Sequence, residues 1–258
     1  MATLLEADPR AFPSSPPADL DDLELIVKND WHAFAALERM TDHWARPGWS
    51  DGSRAYYWML TFSDCPRLLS HAQRCQNELA DLGMDPVPDG GLHVTMVRIG
   101  DTSQVTNGQL HRLADLAAQL PLAPFRIRAT PLAGSRGAIR YSLSPWMALI
   151  RLHAALSAIG RQTGVPGGKP TAAFRPHLGI QYNNRDRPAA PVIASVAHLR
   201  TLPPVHLDIT SVDLVELRRA KGEQRAYRWD VQRTIPLGHR HGPAAQGGVV
   251  PFLSAGEQ

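Results

Sequence analysis

Strands and helices alternating in two similar halves are the architecture this sequence predicts, and three observations carry it. Aromatic and β-branched runs such as residues 55–62 (AYYWMLTF) stand beside segments with apolar residues at helical spacing, so the fold mixes both element types. A strand–helix–strand–helix–strand order recurs, which points to two related lobes. Each half carries one histidine on a central strand at a matched distance: Tyr56 precedes His93 by 37 residues, and Ala138 precedes His177 by 39.

The elements follow in order. Residues 1–20, with Pro13, Pro16 and Pro17 among Ser, Ala and Asp, read as a loose leader. Leu23, Ile26, Val27, Trp31, Phe34 and Leu37 then recur at helical spacing, so residues 1–50 form an N-terminal extension with one helix. After the strand at 55–62, Ser63 or Asp64 can cap a helix with Pro66 in its first turn. Its apolar face is Leu68, Leu69, Ala72, Cys75, Leu79 and Leu82, and Gly83 stops it. Residues 92–99 form the next strand, Thr106 caps a second helix, and 125–129 is a short third strand. The second half opens with a strand at 138–143. Ser144 caps and Pro145 starts the helix that follows, and Gly160 ends it. Strand 174–181, helix 189–200, a long strand 205–217 and a closing strand 226–236 complete a domain spanning 51–238. The Gly- and Pro-rich residues 239–258 are expected to be a flexible tail.

Composition narrows the classes. At 258 residues, 43% hydrophobic and 20% charged, the chain is an ordinary globular protein with room for a real core. A net charge of +3 and a pI near 9.1 lean mildly towards an anionic substrate such as a phosphate ester. No apolar run approaches the ~20 residues needed to span a bilayer, and no basic stretch leads into an apolar one at the N-terminus, so a cytoplasmic protein is expected. Cys65 and Cys75, the two cysteines, lie in one candidate helix, too far apart to bridge along it. No metal or cofactor is expected, because no Cys or His/carboxylate set has the spacing of a zinc site. Gly167-Gly168-Lys169 lacks the first glycine and the Ser/Thr of a phosphate loop and reads as a flexible loop near the groove. His239 and His241 belong to the tail.

The chemistry lies in two strands, Leu92-His93-Val94-Thr95-Met96 and Pro176-His177-Leu178-Gly179-Ile180. Alternation along a strand projects His93 and Thr95 to one face. If the two strands face each other, two imidazoles line one cleft. One, neutral, can take a proton from an attacking water or hydroxyl. The other, protonated, can give one to the leaving oxygen. Imidazole suits this because its unperturbed pKa of about 6.5 lets both forms exist near neutrality. The Thr95 hydroxyl can donate to a phosphate oxygen. By strand alternation Arg175 shares the His177 face, and arginine's planar fork binds phosphate well. Arg140 opens the second half where Tyr57 opens the first, and Tyr182 ends the His177 strand, so these three join the candidates for substrate binding.

On AYYWMLTF, GLHVTMVRIG, FRPHLGIQYNN, and the late VDLVELRR and YRWDVQRTIPLG, the chain resembles the two-histidine phosphoesterases, the superfamily of bacterial 2′-5′ RNA ligases and cyclic phosphodiesterases. The resemblance covers roughly residues 50–238. It implies a bilobal α+β fold, two related lobes each with an antiparallel sheet and helices around a central groove. It further implies metal-independent action on 2′,3′-cyclic or 2′-5′ phosphodiesters of an RNA end or small nucleotide, with His93, Thr95 and His177 catalytic; a monomer is expected. The second motif departs from the family's His-x-Thr/Ser, since Gly179 has no hydroxyl; its backbone N–H can approach a ligand instead. Two other functions stay open: a nucleotide- or RNA-binding module with vestigial chemistry, and a two-histidine enzyme repurposed for a metabolite that is not a phosphodiester. An apolar groove without convergent arginines would favour the last.

Overall fold

The computed structural model describes residues 5–45, 52–219 and 225–238. Two antiparallel sheets organise it. The first has the order β11 (Tyr227–Pro236), β10 (Ser211–Arg219), β2 (Arg54–Thr61), β4 (His93–Asp101). The second runs β3 (Asp85–Pro86), β7 (His177–Tyr182), β6 (Ala138–Ser144), β5 (Phe125–Gly134), β9 (Val205–Ile209). A further short pair joins β1 (Arg39–Met40) to β8 (Arg187–Pro188). The α+β class with antiparallel sheets is therefore what the chain adopts.

The sheets do not divide the sequence at its middle. The strand expected to end the first half is β5, which extends to Gly134 and pairs in the second sheet with β6 and β9. The single long strand expected over 205–217 is two strands broken at Thr210: β9 stays in the second sheet and β10 crosses to pair with β2 in the first. Helices cross over as well. Of α2 (Pro66–Glu78), α3 (Asn107–Ala118) and α4 (Met147–Thr163), α2 lies against β7 and β9, whereas α4 lies against β4 and α3 against β11. A fifth helix, α5 (Ala190–Leu199), packs on β5. One apolar core runs through both sheets, from Trp58 in β2 to Tyr141 in β6 and Trp146 before α4.

Local sequence explains most helix ends. Thr106 and Gln109 close a reciprocal capping box at α3. At α2, neither Ser63 nor Asp64 caps; Cys65 occupies the cap position without a side-chain bond, and Pro66 opens the helix. At α4 the cap is Trp146 rather than Ser144, and the helix runs past Gly160 to end at Gly164, whose φ of 72° suits a residue without a Cβ.

The N-terminal segment is not loose. Leu5, Pro13 and Pro17 are buried, and α1 (Leu23–Ala35), capped by Asp22, lies on β5 and β6. Phe34 sits so closely over Gly134 that a Cβ there would overlap its ring. Successive residues of β6 point to opposite faces: Tyr141 meets His71 of α2, its hydroxyl 2.8 Å from Nδ1, while Arg140 meets Asp30 of α1 at 2.9 Å, both fully buried. The second sheet is thus covered on both faces. The expected tail, with His239 and His241, lies outside the described residues. Among the described residues no helix is long and apolar enough to cross a membrane.

Candidate functional site

His93 begins β4, the open-edge strand of the first sheet, and His177 begins β7, next to the edge of the second; β4 and β7 lie against each other. The two imidazoles are held alike. His93 donates through Nδ1 to the Gly91 carbonyl at 2.8 Å, and His177 through Nδ1 to the Arg175 carbonyl at 2.9 Å. A carbonyl can only accept, so Nδ1 carries the proton in both rings. Nε2 is then the nitrogen placed to exchange a proton. Burial pushes the pKa of His93 below its ordinary 6.5, against the opposing pull of the Gly91 bond. At neutral pH the ring is therefore neutral, with a lone pair on Nε2.

Thr95 is half-buried and stands on the His93 face. Thr61 and Met59 of β2 pair with His93 and Thr95. Thr61 is fixed in turn by donating to the buried Asp213 carboxylate at 2.6 Å, which also accepts from Thr234 at 2.6 Å. On the same face Tyr57 packs with Met59, Val215, Leu217, Tyr227 and Trp229 in a small apolar cluster apart from the main core. Tyr57 therefore belongs to an apolar floor of the first sheet. The β10–β11 hairpin brings Trp229 edge-on to the His93 ring at 5.2 Å and Tyr227 to within 6.4 Å.

In β7 the ladder slips. Gln181 pairs with Ile139 but Gly179 pairs with Arg140, leaving Ile180 as an extra residue. Such a bulge resets the alternation. His177, Gly179 and Tyr182 consequently share one face, opposite Ser142, Arg140 and Ala138. The Tyr182 ring lies back over Gly179: a Cβ on Gly179 would meet Tyr182 Cε1 at 3.6 Å and its hydroxyl oxygen at 3.9 Å. Tyr182 is also 5.5 Å from Tyr227, so the two histidine strands are joined through these aromatic rings.

Two expected phosphate ligands are committed elsewhere. Arg140 is buried in its pair with Asp30, and burial pushes that carboxyl above the usual carboxylate range despite the guanidinium beside it. Arg175 is buried too, and its fork donates to five backbone carbonyls: Pro13 at 3.0 Å, Ala172 at 3.1 Å, Phe174 at 3.0 Å, Glu6 at 2.6 Å and Ser14 at 3.2 Å. Alternation places both arginines on the right face. Around these two guanidiniums that face is filled by the N-terminal segment, so they anchor it, while His177 stays exposed.

The same segment delivers residues that local pattern did not reveal. His43 stacks on Tyr182 at 4.1 Å, and its Nε2 lies 3.0 Å from the Tyr227 hydroxyl. Trp44 donates its indole N–H to Asp85 at 2.8 Å and lies under the Arg219 guanidinium. Loop 165–168 lies along the open edge of β4, where the Gly167 N–H donates to Ile99 O at 2.7 Å. A cavity of about 100 Å³ beside it, lined by Arg98, Arg161 and Lys169, holds neither histidine. Among the described residues no three His, Cys, Asp or Glu side chains gather as metal ligands would.

With this geometry described, comparison with known proteins is informative. Residues 66–221 match the family model of the 2′-5′ RNA ligase superfamily. No curated protein matches the chain in sequence. Among solved structures, Escherichia coli LigT in apo form is similar with a TM-score of 0.55 and 16% identity, over 74% of this chain and 100% of that one. LigT complexed with 3′-AMP gives 0.53 and 16% over the same shares. A Thermus thermophilus protein gives 0.52 and 18%, over 73% of this chain and 100% of its own. At these identities the structural likeness speaks to fold alone.

Proposed function

This chain belongs to the 2′-5′ RNA ligase superfamily of two-histidine phosphoesterases, and we propose that it is a metal-independent phosphodiesterase acting on 2′,3′-cyclic or 2′-5′ phosphodiesters, with His93 and His177 as its acid/base pair. The observation that carries the reading is the matched pair of Nδ1–H to carbonyl bonds, each two residues back, which orients both Nε2 atoms for proton exchange. Water attacks phosphorus as one neutral imidazole takes its proton. The bond from phosphorus to one ribose oxygen breaks, and the other ring, as imidazolium, protonates that oxygen. A molecule of water is added and a phosphomonoester remains. With a 5′-hydroxyl in place of water, the same steps form a 2′-5′ linkage. Burial keeps His93 neutral, the form that takes a proton. Thr95 donates to a non-bridging oxygen as charge develops there. The substrate is an RNA end or small nucleotide; LigT has been crystallised with 3′-AMP. The protein works as a cytoplasmic monomer, its N-terminal extension serving as part of the 51–238 domain's support.

Hydrolysis of nucleoside 2′,3′-cyclic phosphates and a 2′-5′ dinucleotide in EDTA tests this. His93→Ala and His177→Ala should each lower kcat by at least about a hundredfold. A folded wild type without turnover, or turnover indifferent to both substitutions, overturns it. One observation favours a second reading: Arg140 and Arg175 are withdrawn from the groove while Tyr57, Tyr227 and Trp229 give it an apolar floor. That suits two-histidine acid/base chemistry on a metabolite that is not a phosphodiester, and inactivity on the panel above would direct the search there.

A further inference from the structure

Gly179 leaves the second motif without the hydroxyl that Thr95 supplies in the first. The space above it is not empty. Tyr182 ends the same strand three residues on, and the bulge at Ile180 returns it to the face of His177 and Gly179. Its ring lies across Gly179, and its hydroxyl oxygen is 3.9 Å from where a Cβ on Gly179 would stand. The hydroxyl therefore stands beside the place that a Ser or Thr side chain at this position would take. The ring is held there from three sides: stacked on His43 at 4.1 Å, and edge-on to Trp44 at 5.2 Å and Tyr227 at 5.5 Å.

We propose that the Tyr182 hydroxyl replaces the missing second-motif hydroxyl, donating to the phosphate oxygen on the His177 side. The inference rests on the phosphodiesterase reading above. It gives the approach of the ring to Gly179 a purpose, since the hydroxyl then stands beside the position from which a Ser or Thr side chain would project. It also gives the bulge one, since without the extra residue Gln181 would take the place of Tyr182 on this face. A phenolic O–H fixed in this way acts as a preorganised donor, needing no reorganisation as charge builds on phosphate.

The test uses the full chain and four proteins: wild type, Tyr182→Phe, Gly179→Ser, and the double variant. Phenylalanine keeps the ring that packs on His43 and removes only the hydroxyl. Serine fits, because its Cβ would make ordinary contacts of 3.6 Å and beyond, and loss of the tyrosine oxygen opens room for Oγ. With a nucleoside 2′,3′-cyclic phosphate, Tyr182→Phe should lower kcat by about a hundredfold, the usual cost of one such donor. The double variant should recover about tenfold or more of that loss, on the same scale. Gly179→Ser alone should not raise activity, since the tyrosine already supplies the donor. If Tyr182→Phe turns over like wild type while His93→Ala and His177→Ala are dead, the inference falls and the phosphodiesterase reading stands. A folded Tyr182→Phe whose loss the serine does not recover also overturns it, the hydroxyl then acting only through its neighbours. A wild type without histidine-dependent turnover takes down both.

Discussion

His93 and His177 make the same bond to a carbonyl two residues back, yet the strands that carry them are supported in different ways. The His93 side is built from its own sheet: Thr95 beside it, Thr61 of β2 anchored on Asp213 of β10, and Trp229 of β11 at its edge. The His177 side is built from outside. Asp30, Phe34, His43 and Trp44, along with the carbonyls of Glu6, Pro13 and Ser14, all precede residue 66, where the family match begins. They occupy the face of the second sheet where Arg140 and Arg175 point. The first sheet thus keeps Thr61 and Thr95 beside its histidine, whereas the arginines of the second hold an added segment. The lesson is that equal histidine geometry can rest on unequal foundations, and substitutions should separate the two.

The largest separation is expected at Asp30→Ala. It strands Arg140 in a fully buried site, and removing one partner of a buried ion pair costs about 3–5 kcal/mol. Denaturant melts should show that loss. Asp30→Leu with Arg140→Met, which removes both charges, should return most of it. A single variant as stable as wild type would mean that the second sheet does not depend on α1.

Thr95→Ala probes the other half. The side chain is half-buried and on the groove face, so the melt should barely move while kcat falls by about a hundredfold. Stability lost without activity would reverse the contrast.

How much of this contrast could be read in advance depends on the range of the interactions. Residues 55–62 announced a buried strand, Thr106 a capped helix, and His93-Val94-Thr95 a shared face, because period and capping are local properties. The place of Arg175 on the His177 face is equally local, whereas that of Arg140 follows only from its pairing with Gly179. What the two guanidiniums meet is not local, because their partners Asp30 and Pro13 lie more than 100 residues away in the chain. His43 and Trp44 sit after β1 in a stretch without periodicity, and only the folded chain brings them to Tyr182. The crossing at Thr210 was hidden for the same reason, since β9 and β10 are each strand-like and only their partners differ. The bulge at Ile180, which turns Tyr182 towards Gly179, has no signature in the sequence alone.

Gly134→Ala sharpens the comparison at smaller cost. Its Cβ would overlap the Phe34 ring, which is fully buried between α1 and β5. Overpacking of this kind costs about 1–3 kcal/mol. Because α1 must shift to make room, the loss should be accompanied by a change on the His177 side, with faster amide exchange in β6 and β7. Exchange in β2 and β4 should stay as it was. Uniform acceleration in both sheets would show that the added segment supports the whole molecule.

The smallest effect is one of pH. His153 of α4 stacks on Phe174 at 4.2 Å, just before Arg175 and His177 in the chain, and lies 3.0 Å from the Thr171 hydroxyl. Burial pushes its pKa from 6.5 down to about 4. Between those values the unfolded chain binds a proton that the folded chain refuses, so stability falls as pH drops below 6.5, and the loss levels off below the folded value. At pH 5.5 the deficit relative to pH 7.5 should be about 1 kcal/mol from this ring alone. His153→Gln keeps a polar partner for Thr171 and removes the titration, so melts of that variant should differ less between the two pH values than wild type does. His93 is lowered in the same direction and contributes to the same slope from β4, the strand against which α4 lies. If His153→Gln leaves the slope unchanged and His93→Gln flattens it, acid sensitivity belongs to the histidine of β4 rather than to the buried ring of α4.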